Sequence, residues 1–486
     1  MTAVNVADLV ANQAERQPDV VGLVSGAQRL TWAELDRRAT AAASDLAGRG
    51  VLAGQRVAVL GTNSVEWVVV WFGTLRAGCV VVPINPRSTA DEVGRVVSHS
   101  GSVLVLADRT DDPRLTGSDV PVVELATEWQ HQAPVSSPRD PDALAVLLYT
   151  AGTSGAPKAA MLSHHSLLAH CANADAVGQL RGDDVIVCLL PLFHVFGLNA
   201  VLDMAAYLGA RLVLLDGLPA ELDDLAGVIE AEQATVLPLA PVALHRLLAL
   251  PDLSRLSRLR LVLSGAAPLS AETRGAFTER TGVVVDQGYG LTEAAPGVAS
   301  TLGREQRGIG HVGRVFPGVQ VRIGTGGDDT DPDRVFVRGE NVFSGYWPDG
   351  SGGADADGWF DTGDIGYLAD GELFLVDRSR ELIIVYGFNV YPAEVEEVIA
   401  EVDGVHAVAV VGRADDQTSN EQVIAFVVGT ATEQQVDAHC TERLARFKRP
   451  TRINLVHDLP RGATGKIRKG ALREQLAVLG PDPGAR

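Results

Sequence analysis

The chain has 486 residues, 46% of them hydrophobic, and its 41 Lys and Arg against 61 Asp and Glu give a net charge of -20. That length provides for two to four folding units, and that charge excludes a general attraction to nucleic acid or anionic lipid, so anionic ligands must be held by local positive groups. Cys79, Cys171, Cys188 and Cys440 are scattered without C-x-x-C spacing, which excludes a disulfide framework or zinc ribbon and fits a reducing compartment.

From the N-terminus, residues 1–19 lack the basic start and unbroken apolar run of a secretory signal. The most apolar stretch, residues 67–82, is broken by Arg76 and followed by Pro83, too short to span a bilayer. We therefore expect a cytoplasmic protein without membrane insertion. Residues 4–16 and 31–47 carry apolar positions at helical spacing, and 56–60 reads as a buried strand. Helix over 64–77, strand over 79–82, helix over 90–98 and strand over 102–106 follow. A second cycle runs through a strand at 145–148, a helix after Ser163, a strand at 185–190 and a helix at 198–208. Strands at 211–215, 235–237 and 260–263 complete it. Such alternation predicts parallel sheets covered by helices.

Between 308 and 375 short segments separated by Gly, Pro and Asp predict a smaller β-rich unit, with residues 326–333 as an exposed turn. Three subdomains are thus expected before residue 378. Beyond it, strand 382–384, helix 392–400, strands 406–411 and 422–428 and helix 433–444 predict a compact α+β domain. The expected fold is α/β: an N-terminal domain, 1–378, of two helix-covered sheets plus a β-rich subdomain, and a small mobile α+β C-terminal domain, 379–486.

The segment Tyr149-Thr150-Ala151-Gly152-Thr153-Ser154-Gly155-Ala156-Pro157-Lys158 follows an apolar strand. Its glycines permit close approach of backbone N–H groups, and its hydroxyls and lysine complement them around a polyphosphate. It is not a Walker loop, because Ala156 and Pro157 separate the second glycine from the lysine. Downstream stand Gly265-Ala266-Ala267-Pro268, Gly288-Tyr289-Gly290-Leu291-Thr292-Glu293, Asp361-Thr362-Gly363-Asp364, Asp377-Arg378 and Gly462-Ala463-Thr464-Gly465-Lys466. In this order and spacing the motifs resemble those of the acyl-adenylate-forming superfamily over essentially the whole chain. The character is closest to AMP-forming acyl-CoA or aryl-CoA ligases. The chain departs from the common pattern at Ala151, where serine is usual, at Ala159, where glycine is usual, and at Asn420.

The resemblance implies an ATP-dependent reaction of a small organic acid, giving an acyl adenylate and pyrophosphate, followed by transfer to CoA. It implies that Thr150, Gly152, Thr153, Ser154, Gly155 and Lys158 hold the phosphates. Gly265, Ala266, Ala267, Gly288, Tyr289 and Gly290 would line the adenine pocket, with Tyr289 stacking on the base. Asp364 would accept the ribose hydroxyls beside Arg378. Mg²⁺ would be held by Glu293 and Thr150, with Thr292 supplying a further hard hydroxyl oxygen beside Glu293. Lys466, a tail lysine when read alone, becomes the group that stabilises charge at the α-phosphate. His194, within Pro191-Leu192-Phe193-His194, either borders the acid pocket or is a core histidine. Arg380 marks the hinge, after whose rotation the turn at Gly387 would open a thiol tunnel. Lys448 and Arg449, with Arg413 nearby, either meet CoA phosphates or are a charged helix end. Two other outcomes share the sequence signature: transfer to a carrier protein or an amine, with nitrite as a further oxyanion to activate, and a non-catalytic nucleotide-binding protein. The last is disfavoured by the presence of Lys466, Glu293 and Asp364. Oligomeric state is not legible.

Overall fold

The computed structural model describes residues 3–125, 129, 140–150, 158–219, 222–308, 310–324, 331–378, 381, 383–385, 388–414, 421–444, 446–462 and 467–478. The chain folds as two compact units, one of residues 1–307, 312–321 and 337–360, the other of 308–311, 322–336 and 361–486.

In the first unit, one sheet sets Val122–Glu124, Ser102–Ala107, Arg56–Leu60, Val80–Ile84, Leu144–Thr150 and Lys158–Ser163 side by side in that order. Its strands run parallel except for the last pair, an antiparallel hairpin. Val80–Ile84 is buried throughout, as an apolar β-branched run must be when helices cover both faces. Trp32–Gly48 and Ala90–Ser100 start on capping boxes, Thr31 with Glu34 and Thr89 with Glu92, each threonine accepting from the third backbone N–H. The expected order of helix and strand over 31–106 is the one observed.

The second sheet of this unit runs Gly297–Ser300, Val285–Gly290, Leu261–Ser264, Val236–Leu239, Val185–Cys188, Arg211–Leu214, Val21–Ser25 and Gln28–Thr31. The strands from Val285–Gly290 through Val21–Ser25 are parallel neighbours. Leu225 and Ile229, Leu244 and Leu247, and Phe277 pack from three helices against Leu237, Leu239 and Val262 of this sheet. Parallel strands end with their carboxyl ends along one edge, so the turns after Ser264 and Gly290 emerge on that edge, where ligands of open α/β sheets bind.

Several elements lie outside the sequence expectation, among them the helices Leu222–Ala231, Pro241–Leu248 and Ala271–Thr281. The hairpin Val21–Ser25 with Gln28–Thr31 is too short and too polar to show periodicity. The helix expected over 198–208 is a π-turn, Leu198–Asp203, followed by Met204–Leu208. The β-rich stretch forms as His311–Val315, Val319–Ile323, Asp333–Gly339, Phe360–Ala369 and Glu372–Arg378, and its residues are shared between the two units.

In the second unit, Val405–Ala414 pairs antiparallel with Glu421–Gly429, which pairs parallel with Arg452–Leu455. Ile383, Val395, Ile399, Val410, Val423 and Val436 form one core cluster, while Leu472 and Leu476 join Ile424 and Phe426 in another. The amine of Lys469 lies 2.8 Å from Glu396 and 3.2 Å from Glu381, at 13% side-chain exposure. Helices Pro392–Ala400 and Glu433–Arg443 lie where the sequence pattern predicts them.

Candidate active site

Thr150 and Lys158 face each other across the last register position of the antiparallel hairpin. This pair brackets the expected phosphate loop, whose residues Gly152, Thr153, Ser154 and Gly155 lie outside the described residues. Lys158 is exposed, and its Nζ sits 5.4 Å from the ring centre of Tyr346. Tyr346 comes from a short segment that extends the hairpin's outer edge. Ser344 N–H donates to Met161 O, Met161 N–H to Gly345 O and Trp347 N–H to Ala159 O.

The Tyr346 hydroxyl donates to Glu293 Oε1 at 2.5 Å. Burial, and then the charge of Glu293, push this phenol's pKa up, so it stays protonated as the donor. Phe343 adds a backbone bond to Glu293 O at 2.9 Å, and its ring meets Tyr346 edge to face. Lys158 and Glu293, far apart in sequence, thus converge on one tyrosine.

Glu293 sits in the turn Thr292–Ala294, whose shape follows from close backbone packing. A Cβ on Gly290 would stand 2.2 Å from Pro296 O, so only glycine fits there. Buried Asn341 donates to Ala294 O at 2.7 Å and Gly297 O at 2.9 Å, and buried Asn199 donates to Ala295 O and Leu167 O. These two asparagines, like Tyr346, went unread in the sequence. The signal that could have found Tyr346 is its place between Gly345 and Trp347, in a polar stretch with no helical or strand period.

Phe196, Gly265 and Gly288 also come together, with His194 two residues before Phe196 in the chain. The Phe196 ring edge lies 3.0 Å from where a Cβ on Gly265 would stand, and Gly288 O lies 3.6 Å from it. Leu263 is 3.9 Å from the same position on Gly288. His194 Nδ1 accepts from Phe196 N–H at 3.2 Å, and desolvation lowers the imidazole pKa to about 4. The ring is therefore neutral near pH 7, with its proton on Nε2. Ala266 holds a left-handed φ of 69°, uncommon for a residue with a Cβ, and it is exposed beside half-buried Ala267. Tyr289 and Gly290 follow on the strand Val285–Gly290, with Tyr289 opposite Ala299.

In the second unit Asp364 is buried and stands directly across the strand pair from Arg378. Asp364 N–H donates to Thr362 Oγ1 at 3.1 Å. Lys448 Nζ donates to both oxygens of Glu394, at 2.6 and 2.8 Å, and Arg449 donates to Leu444 O and Thr441 O. In this conformation both cations are engaged within their own unit. Arg380, Gly387 and Lys466 lie outside the described residues, though Arg461 and Ile467, flanking 463–466, form an antiparallel bridge.

Among the described residues no group of three His, Cys, Asp or Glu is placed to hold a metal ion. Mg²⁺ bound through nucleotide phosphates needs only one or two carboxylates. Glu293 fits that demand: Tyr346 fixes one of its oxygens, and the other has no hydrogen-bond partner among the described residues. No described helix is long and apolar enough to cross a membrane, and the four cysteines are buried and unpaired with one another.

Comparison with known proteins identifies the family and the fold. The AMP-binding enzyme family matches residues 10–347, and the AMP-binding enzyme C-terminal domain matches 394–466. The long-chain-fatty-acid–CoA ligase FadD13 of Mycobacterium tuberculosis is 33% identical over 483 residues, covering 93% of this chain and 94% of that protein. The 4-coumarate–CoA ligase 1 of Oryza sativa subsp. japonica is 32% identical, covering 96% of this chain and 91% of that protein. Among solved structures, ATP-bound MatB from Rhodopseudomonas palustris superposes with a TM-score of 0.90 at 31% identity, over 98% of this chain and 99% of the other. Sequence motifs, fold and relatives converge: the chain belongs to the family of AMP-binding enzymes and is an AMP-forming acid–CoA ligase.

Proposed function

We propose that this ligase activates a carboxylic acid with an uncharged, apolar tail, and that CoA rather than a carrier protein or amine is its acceptor. The observation that carries the substrate class is the apolar meeting of Phe196, Leu263, Gly265 and Gly288, with the neutral His194 bonded to the Phe196 N–H. No cation stands among these residues to hold a second carboxylate, and burying an unpaired charge there would cost several kcal/mol. Long-chain fatty acid and 4-coumarate, named for two relatives, both fall in this class.

In our reading the substrate carboxylate is already ionised at neutral pH, so no general base is required. Lys158 and the phosphate loop hold the ATP phosphates, and Thr150 sits at the loop's base. Glu293 would hold Mg²⁺ on the phosphates beside Thr292, and the bound ion would neutralise charge on the departing pyrophosphate. Asp364 and Arg378 take the ribose, and Tyr289 offers its ring to adenine, with Gly265 to Ala267 and Gly288 leaving room at its edge. Lys466 stabilises the α-phosphate as the acid oxygen displaces pyrophosphate in line. Residues 379–486 then turn about Arg380, bringing Gly387 toward the site for the thiol step. Lys448 and Arg449 meet CoA once released from their present partners. ATP and CoA as substrates, with four unpaired buried cysteines, favour a cytoplasmic setting.

The test is acid-dependent pyrophosphate release across aliphatic, aryl and dicarboxylic acids, with CoA, a carrier protein or hydroxylamine as acceptor. Turnover of aliphatic or aryl acids with CoA thioester as product is expected. Turnover confined to dicarboxylic acids, or no thioester with any acid, would overturn the proposal.

A further inference from the structure

Tyr346 holds Glu293 by its hydroxyl and Lys158 by its ring, and it rides on the segment that pairs with the strand leaving the phosphate loop. A carboxylate with both oxygens loose can turn to accept from several donors. With Oε1 held at 2.5 Å by a phenol, the remaining oxygen is restricted to fewer directions. The ring is a separate device. Its face attracts the ammonium of Lys158, restraining a long, exposed side chain at the base of the phosphate loop. We propose that Tyr346 is a positioning residue for Mg·ATP: its hydroxyl orients Glu293 toward the cation, and its ring orients Lys158 toward the phosphates. The proposal rests on the reading of Glu293 as the metal carboxylate.

The two devices separate by substitution. Tyr346→Phe keeps the ring and removes the hydroxyl, whereas Tyr346→Leu removes both. ATP binding is measured by calorimetry without any acid, over a range of Mg²⁺ concentrations, so that no turnover enters the readout. For Tyr346→Phe the Mg²⁺ concentration giving half-maximal ATP affinity rises about tenfold, the loss expected for a hydrogen bond to a charged group. Its ATP affinity at saturating Mg²⁺ stays near that of the wild type. Tyr346→Leu shows the same shift and, in addition, an about two- to fivefold weaker ATP affinity at saturating Mg²⁺. In a Glu293→Gln background Tyr346→Phe adds no further Mg²⁺ shift, because residues acting through one group are not additive.

Each failure has its own signature. An ATP affinity of the wild type that is indifferent to Mg²⁺ would remove the Glu293 reading and the proposal with it. A Mg²⁺-dependent wild type with an unshifted Tyr346→Phe, or an equal shift in the Glu293→Gln background, would overturn the Tyr346 proposal alone. Equal thermal unfolding of wild type and Tyr346→Phe checks that the shift does not arise from lost stability.

Discussion

Asp364 and Arg378 occupy directly opposed positions in the antiparallel pair Phe360–Ala369 with Glu372–Arg378, so the two residues that the resemblance assigns to the ribose share one strand ladder. Opposed residues in such a ladder are close enough to act on a single ligand group. A buried carboxylate receiving two ribose hydroxyls makes charge-assisted hydrogen bonds, which Asn cannot reproduce because its amide supplies one acceptor atom instead of two. Asp364→Asn is therefore expected to raise the ATP KM by about tenfold or more. It should also narrow the preference for ATP over 2′-deoxy-ATP. Pyrophosphate release with each nucleotide measures both, and an unchanged preference would take Asp364 off the ribose.

Lys466 carries a different kind of prediction, because it serves one half-reaction only. Lys466→Ala should reduce adenylate formation by at least about a hundredfold, the scale of losing one preorganised charge donor. Thioester formation from supplied acyl adenylate and CoA should stay within a few-fold of the wild type. Acid-dependent pyrophosphate release reads the first step and acyl-CoA formation the second. Equal losses in both steps would mean that Lys466 does not divide the reaction.

What the sequence made legible is what lies within a single segment. The segment after Thr150, the Gly-Tyr-Gly run before Thr292 and Glu293, and the Asp361-Thr362-Gly363-Asp364 run each combine glycine freedom with polar chemistry over a few residues. Tyr346 was invisible for a physical reason. Its meaning depends on backbone bonds from Ser344, Gly345 and Trp347 to Ala159 and Met161, pairings between segments almost two hundred residues apart in the chain. Asn199 and Asn341 were hidden likewise, since a buried asparagine declares its purpose only through the carbonyls it reaches. The π-turn Leu198–Asp203 escaped because apolar spacing alone does not distinguish it from an α-helix.

Gly290 tests the turn that carries Glu293. An added Cβ would stand 2.2 Å from Pro296 O and 2.8 Å from Pro296 C. That oxygen also accepts the Leu291 N–H, so the turn would have to open to admit a methyl group. Gly290→Ala should destabilise the protein by about 1–3 kcal/mol and weaken Mg²⁺-dependent ATP binding as Glu293 moves. Gly275, in the helix Ala271–Thr281, has open space where a Cβ would go. Gly275→Ala should stabilise by up to about 1 kcal/mol and leave ATP binding alone. Denaturant unfolding and calorimetry on the two variants make the comparison. Equal behaviour would show that the Gly290 turn is compliant.

His170 supplies a pH prediction whose direction follows from its surroundings. Its Nδ1 accepts from Gly297 N–H at 3.3 Å, so the proton of the neutral ring is on Nε2, which is buried without a partner among the described residues. Desolvation lowers the imidazole pKa to about 4, below the value of about 6.5 for an unfolded histidine. As pH falls from about 6.5 toward 4 the unfolded chain takes up this proton and the folded chain does not, so folding stability is lost in that window and is whole above it. Buried carboxyls with raised pKa values act in the opposite sense over part of the range. Asp286, raised to about 6 by burial, is one, so the single group is isolated by comparing wild type with His170→Asn. The amide oxygen of Asn keeps an acceptor for Gly297 N–H while removing the titration. Relative to this variant the wild type should lose about 1.4 kcal/mol per pH unit across the window and nothing further above pH 7. A stability difference that stays constant from pH 7 to 4.5 would mean that His170 takes up its proton in the folded protein as readily as in the unfolded chain.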